Sequence, residues 1–124
     1  DIMANVEAMS ATNELIAWFG RDQEGFIGLW QGPSKRHPSE CPVVRLDSEG
    51  QYELVACTIA DYIAVSVDED DFDDAREDLM GAGFDVSESP NAIWDSVAKF
   101  DSPNDFRHAL YNQERQTRGL KPIE

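Results

Sequence analysis

Residues 67–78, VDEDDFDDARED, place eight carboxylates in twelve positions and balance them with one base, Arg76. Acids at this density could hold a cation, share a proton as a catalytic pair, or attract something basic. A calcium loop needs oxygen ligands at its first, third and fifth positions, Gly at the sixth and Glu at the twelfth. Counted from Asp68, Asp70 fits the third position, but Phe72 takes the fifth and Asp73 the sixth. The spacing therefore fails as a metal loop. A catalytic pair needs two carboxyl groups in unlike surroundings that drive their pKa values apart. On a helix, Asp70, Asp73, Asp74, Glu77 and Asp78 all turn away from the apolar stripe of Phe72 and Leu79, so they would share water and titrate alike. Two readings remain. The ordinary one is a solvated face, favoured at its start by the helix dipole. The functional one is the same face docking on a basic partner, where gathered negative potential raises encounter rate and specificity. On the functional reading Asp68, Asp70, Asp71, Asp73, Asp74, Glu77 and Asp78 form a partner-binding cluster, with Glu49 in an exposed turn as a weaker contributor.

Other chemistries find no spacing to support them. His37 stands in a Pro-rich loop and His108 on a helix, and neither has a Cys or Asp at catalytic or zinc-binding spacing. No G-x-S-x-G occurs, and GAGF at 81–84 lacks the lysine and spacing of a phosphate loop. No catalytic residue, metal or cofactor is expected. Trp18, Trp30 and Trp94 read first as core, with one at the sheet's edge able to anchor an interface.

The chain has 124 residues, 41% of them hydrophobic, and a formal charge of −15 from 25 acids and 10 bases. This is enough apolar material for a core and the size of one domain. The charge argues against binding nucleic acid or an anionic membrane through the general surface, and favours a basic protein partner. No apolar run approaches the roughly 20 residues of a membrane span. The opening DIMANVEAMS lacks the basic and apolar regions of a signal peptide, and without an initial Met the front reads as trimmed. Cys41 and Cys57 form no C-x-x-C, so two reduced packing thiols in a cytosol are expected.

These elements must position the acids. NVEAMSATN reads as no more than a weak helix. NELIAWFG and GFIGLWQG are β-like runs joined by RDQEG, a hairpin over 13–31, with Gly28 marking a bulge or a close backbone approach. QGPSKRHPSECP is an exposed loop and holds the main basic island, Lys35, Arg36 and His37. VVRLD and QYELVA make a second hairpin over 42–57, turned by DSEG. The period then changes. Thr58 and Asp61 have the spacing of a capping box, with Ile59, Tyr62, Ile63 and Val67 as the buried stripe. Asp68 or Asp70 caps the next helix, whose inner face is Phe72, Ala75, Leu79 and Met80, and GAG stops it. Ser89–Pro90 starts a third helix facing inward with Ile93, Trp94, Val97 and Phe100. Ser102–Pro103 starts a fourth, lined by Phe106, Ala109, Leu110 and Gln113, with Arg115 and Arg118 near its end. Strands first and helices second predict an α+β fold: an antiparallel sheet of about four or more strands, then three or four helices packed on and around it.

Three stretches together, WFGRDQEGFIGLWQG, LDSEG and the helix start TIADYI, resemble the SUKH superfamily of bacterial toxin-immunity proteins, Syd-like proteins and fungal regulators of glucan synthesis. The likeness covers about residues 13–67. It implies one SUKH-like domain over 1–124, with the front of the family fold missing or compacted. It also implies a cytoplasmic binding module that neutralises a toxin, often a nuclease. Gly25, Gly28, Leu29, Trp30, Leu46, Glu49, Gly50 and Tyr62 match the pattern as fold determinants. The resulting expectation is a non-catalytic immunity protein that occludes a basic toxin domain. A regulatory scaffold in signalling or cell-wall synthesis is the alternative, and a small hydrolase the third.

Overall fold

A computed structural model describes residues 2–117 and 119 of the chain. Four strands, β1 (Ile16–Arg21), β2 (Gly25–Trp30), β3 (Val43–Asp47) and β4 (Tyr52–Ala56), pair antiparallel in the order β1-β2-β3-β4. The helices are α1 (Ile2–Glu14), α2 (Ile59–Ser66), α3 (Phe72–Gly81), α4 (Pro90–Val97) and α5 (Pro103–Thr117). This is the expected α+β class, with both hairpins in place. The fourth expected helix reaches at least Thr117 and Arg118 lies outside the described residues.

Alternation along the strands sends side chains to both faces. Ile27, Val43, Val55 and Ala56 meet Ala60, Ala64, Phe72 and Ile93 from α2, α3 and α4. Ile16, Trp30, Val44 and Tyr52 meet Met9 of α1 and Phe106 of α5 on the other side. The helices therefore cover the sheet from both sides. Gly28 fulfils both parts of its expectation. A Cβ there would come within 2.5 Å of the Ile16 Cγ2 methyl, and β1 shifts register between Trp18 and Gly20 opposite it.

The weak N-terminal helix is in fact thirteen residues long and integral to the fold. Its buried stripe is Ala4, Ala8 and Thr12, small residues at i, i+4 and i+8 that let α1 lie close against α5. It takes in Asn13 and Glu14, which the first strand had been expected to hold. Tyr52 fixes it to the sheet: its hydroxyl donates to Asn13 Oδ1 at 2.6 Å, while its backbone N–H donates to Asn104 Oδ1 at 2.8 Å. Trp30 does the same for α5, donating Nε1–H to the Asp101 carbonyl at 3.0 Å and meeting Phe106 edge to face.

Three helix starts follow their residues. The Thr58, Ser89 and Ser102 hydroxyls accept from the N–H groups of Asp61, Ala92 and Asp105. Two details differ. The Asp61 carboxylate does not complete a capping box. It is buried and accepts from Ser87, N–H and Oγ, both at 2.8 Å. The cap expected from Asp68 or Asp70 is not made: Asp68 has no side-chain cap bond, Asp70 lies inside a 3-10 turn, and Asp71, the residue before α3, makes no cap bond either. A 3-10 turn over Glu69–Asp71, with Asp71 N–H on the Asp68 carbonyl at 2.8 Å, runs directly into α3 instead. At the far end Gly83, at φ 98°, lets the Phe84 N–H reach back to the Leu79 carbonyl, the reversal that ends a helix on a left-handed residue.

Candidate protein-binding surface

Asp68, Asp70, Asp71, Asp73, Asp74, Glu77 and Asp78 are all exposed, on the 3-10 turn and the outer side of α3. None makes an ion pair among the described residues. The base within the run is committed elsewhere: Arg76 Nε donates to the Val86 and Ser87 carbonyls at 3.3 and 3.0 Å. Within α3, Asp73 and Glu77, and Asp74 and Asp78, stand four apart. Like charges at that spacing each destabilise a helix by about 0.2–0.5 kcal/mol. The fold thus tolerates a net repulsion that interspersed lysines would have removed. Glu49 is exposed as expected, in a turn whose Asp47 Oδ1 accepts from the Glu49 and Gln51 N–H groups. That turn lies beside Met9 of α1, on the other side of the sheet from α3. Glu49 is therefore not brought together with the run.

Next to the run is an apolar surface that sequence periodicity placed inside. The buried side of α2 is Ala60, Asp61 and Ala64, whereas Ile59 and Ile63 are 45% and 46% exposed and Val67 is exposed too. A helix that is apolar nearly all round lets its small side pack and leaves the larger aliphatics outward. Ile59 and Ile63 border a cleft of about 560 Å³ with Leu29 of β2, Leu79 of α3 and Phe84. Phe84 is exposed at the end of α3. Both cysteines line the cleft as free thiols, with Cys41 buried and Cys57 donating to Ser96 Oγ at 3.1 Å. Met80, Trp18 and Trp94 are likewise exposed where core positions were expected, while Trp30 is fully buried. On α5, Ala109 and Gln113 face solvent and Phe106 and Leu110 are partly covered.

A polar cluster holds the sheet end nearest α2. Arg45 Nη2 donates to Asp22 Oδ2 at 2.9 Å, and Nη1 lies 3.0 Å from Glu24 and 3.7 Å from Glu53. Tyr62 OH donates to the same Asp22 oxygen at 3.0 Å. Burial pushes the Asp22 carboxyl upward, but hydrogen bonds from Arg45, the Glu24 N–H and Tyr62 outweigh it and hold the group below its ordinary value of 3.8. Its stabilising effect is thus complete above that value and fades as pH falls through the lower folded-state one. Asp22→Asn should lower stability at pH 7 and flatten the loss of stability below about pH 4. Urea midpoints at pH 7 and pH 3 measure this; equal acid slopes in the two proteins would refute it.

Within the basic island Lys35 is exposed, while Arg36 donates to the Trp30 carbonyl at 3.0 Å and stands 5.1 Å over the Phe100 ring. His37 Nδ1 accepts from the Ser39 N–H, and His108 lies on α5. Among the described residues no three His, Cys, Asp or Glu side chains converge as metal ligands do, and no helix is long and apolar enough to cross a membrane. No family model matches the chain, and no curated protein or solved structure matches it either.

Proposed function

We propose that the chain is a non-catalytic binding protein that captures a positively charged protein partner. One observation carries this reading: the exposed carboxylates of 68–78 make no ion pair among the described residues, and Arg76, the base within the run, is turned to backbone. Such a face concentrates negative potential, which steers a basic partner into encounter. The SUKH likeness of residues 13–67 supplies the partner's class, a nuclease-type toxin domain, and the role of a cytoplasmic immunity protein. Inhibition would be by occlusion, with carboxylates meeting the residues that the toxin uses for phosphates.

Capture from the native cell, followed by mass spectrometry at low and at about 0.5 M salt, tests the reading through screening of exposed charge. The expected catch is a basic protein released by salt, whose nuclease activity is lost on equimolar mixing. An acidic partner held equally well at both salts would reject it.

A further inference from the structure

We infer that the cleft between α2 and the Leu79–Phe84 end of α3 seats an amphipathic helix of the partner, apolar on one face and flanked by Lys and Arg; this rests on the binding reading above. The cleft already carries the complementary features. Ile59 and Ile63 stand one turn apart on the cleft side of α2, an aliphatic ridge about 6 Å long at helical rise. Opposite stand Leu79 and Phe84, the latter 56% exposed, and Leu29 contributes from the sheet. A ridge of that period receives anchors at i, i+3 or i+4, and i+7.

The backbone decides between a helix and a strand. The sheet residue at the cleft belongs to β2, which is hydrogen-bonded to β1 on one side and β3 on the other. It offers no free edge to an extended peptide, so a chain lying here must satisfy its own N–H and C=O groups, as a helix does. Charge decides its flanks. Asp85 lines the cleft, and α3, which supplies Leu79, presents Asp73, Asp74, Glu77 and Asp78 to solvent. A second copy is the poorer occupant. A two-fold contact repeats one patch on itself and would bring two carboxylate-rich α3 helices towards each other.

The test uses the full chain and a labelled sixteen-residue amidated peptide, designed with Leu at 3, 7, 10 and 14, Lys beside them and Ala elsewhere. Controls are a scrambled peptide of equal composition and a version with Glu for every Lys. Fluorescence anisotropy at low salt should show the patterned Lys peptide binding at least about tenfold tighter than either control, the size of difference that apolar anchors and charge sign each produce. Circular dichroism should show it becoming helical on binding. Ile63→Asp and Phe84→Ser, at exposed positions, should each weaken it about tenfold or more with thermal unfolding unchanged. Equal binding of the scrambled peptide, or an unaffected Ile63→Asp, overturns the cleft as the seat. If neutralising 70, 73, 74 and 77 still weakens binding in that case, the acid-face reading survives. If neither change matters, both fall. Sedimentation showing a dimer of the chain alone, abolished by Ile63→Asp, would overturn the inference in favour of self-association.

Discussion

With Asp70, Asp73, Asp74 and Glu77 replaced by Asn or Gln, association with a basic partner should slow by roughly ten- to a hundredfold at low ionic strength, with dissociation little changed. The formal charge moves only from −15 to −11, so a uniform field would change modestly. The larger effect comes from locality. All four sit on the same short stretch of surface, within about one or two screening lengths of each other. The wild-type on-rate should fall steeply with salt, the variant's should stay nearly flat, and the two should converge near 0.5 M as screening shortens to a few ångströms. Folding should not suffer. Removing the i, i+4 repulsions returns a few tenths of a kcal/mol per pair, against a similar dipole benefit lost at the helix start, so stability should be equal or about 1 kcal/mol higher at most. Stopped-flow association across a salt series, with a denaturant curve for each protein, reads both. An unchanged on-rate at low salt removes the steering role.

Asp61→Ala should destabilise the protein by about 2–4 kcal/mol, because each hydrogen bond to a charged group contributes about 1.5–3 kcal/mol and Ala replaces neither. Asp61 is 4% exposed and holds both polar groups of Ser87. Arg76 grips the same segment from α3 through the Val86 and Ser87 carbonyls. Between them they fix residues 86–87, and thereby the placement of Phe84 and Asp85 at the cleft. Asp61→Asn keeps one acceptor and one polar group towards the Ser87 hydroxyl, and should lose about half as much. Equilibrium urea unfolding measures both, with an unchanged slope against denaturant. An Asp61→Ala protein within about 0.5 kcal/mol of wild type, the range of an ordinary surface change, would show that the contact is incidental.

The strands and both hairpins were legible because Ile, Leu, Val and Trp cluster between turn residues, and the Thr58, Ser89 and Ser102 caps because hydroxyl residues at helix starts have one dominant use. The acid run was equally legible, since exposure follows from charge density alone. Three things were hidden for physical reasons. The packing face of α1 is built of Ala4, Ala8 and Thr12, a small-residue stripe that a search for bulky apolar side chains passes over. In α2 the period fitted two faces, and volume, not hydrophobicity, chose Ala60 and Ala64 for the interior. The cleft and the Arg45 cluster assemble residues from positions 29, 59, 63, 79 and 84 and from 22, 24, 45, 53 and 62, a juxtaposition only the tertiary fold creates.

The side-by-side packing of α1 and α5 has a bearing on how the chain matures at the ribosome. Every strand pairs with the one before it in sequence, so the sheet can form progressively as it emerges. The first helix, however, finds its main companion only after all four strands and three intervening helices have been translated. Until then the indole of Trp30 lacks the Asp101 carbonyl and the Phe106 ring, and the Tyr52 N–H lacks Asn104, so the nascent protein keeps one flank only half covered while the other has already closed.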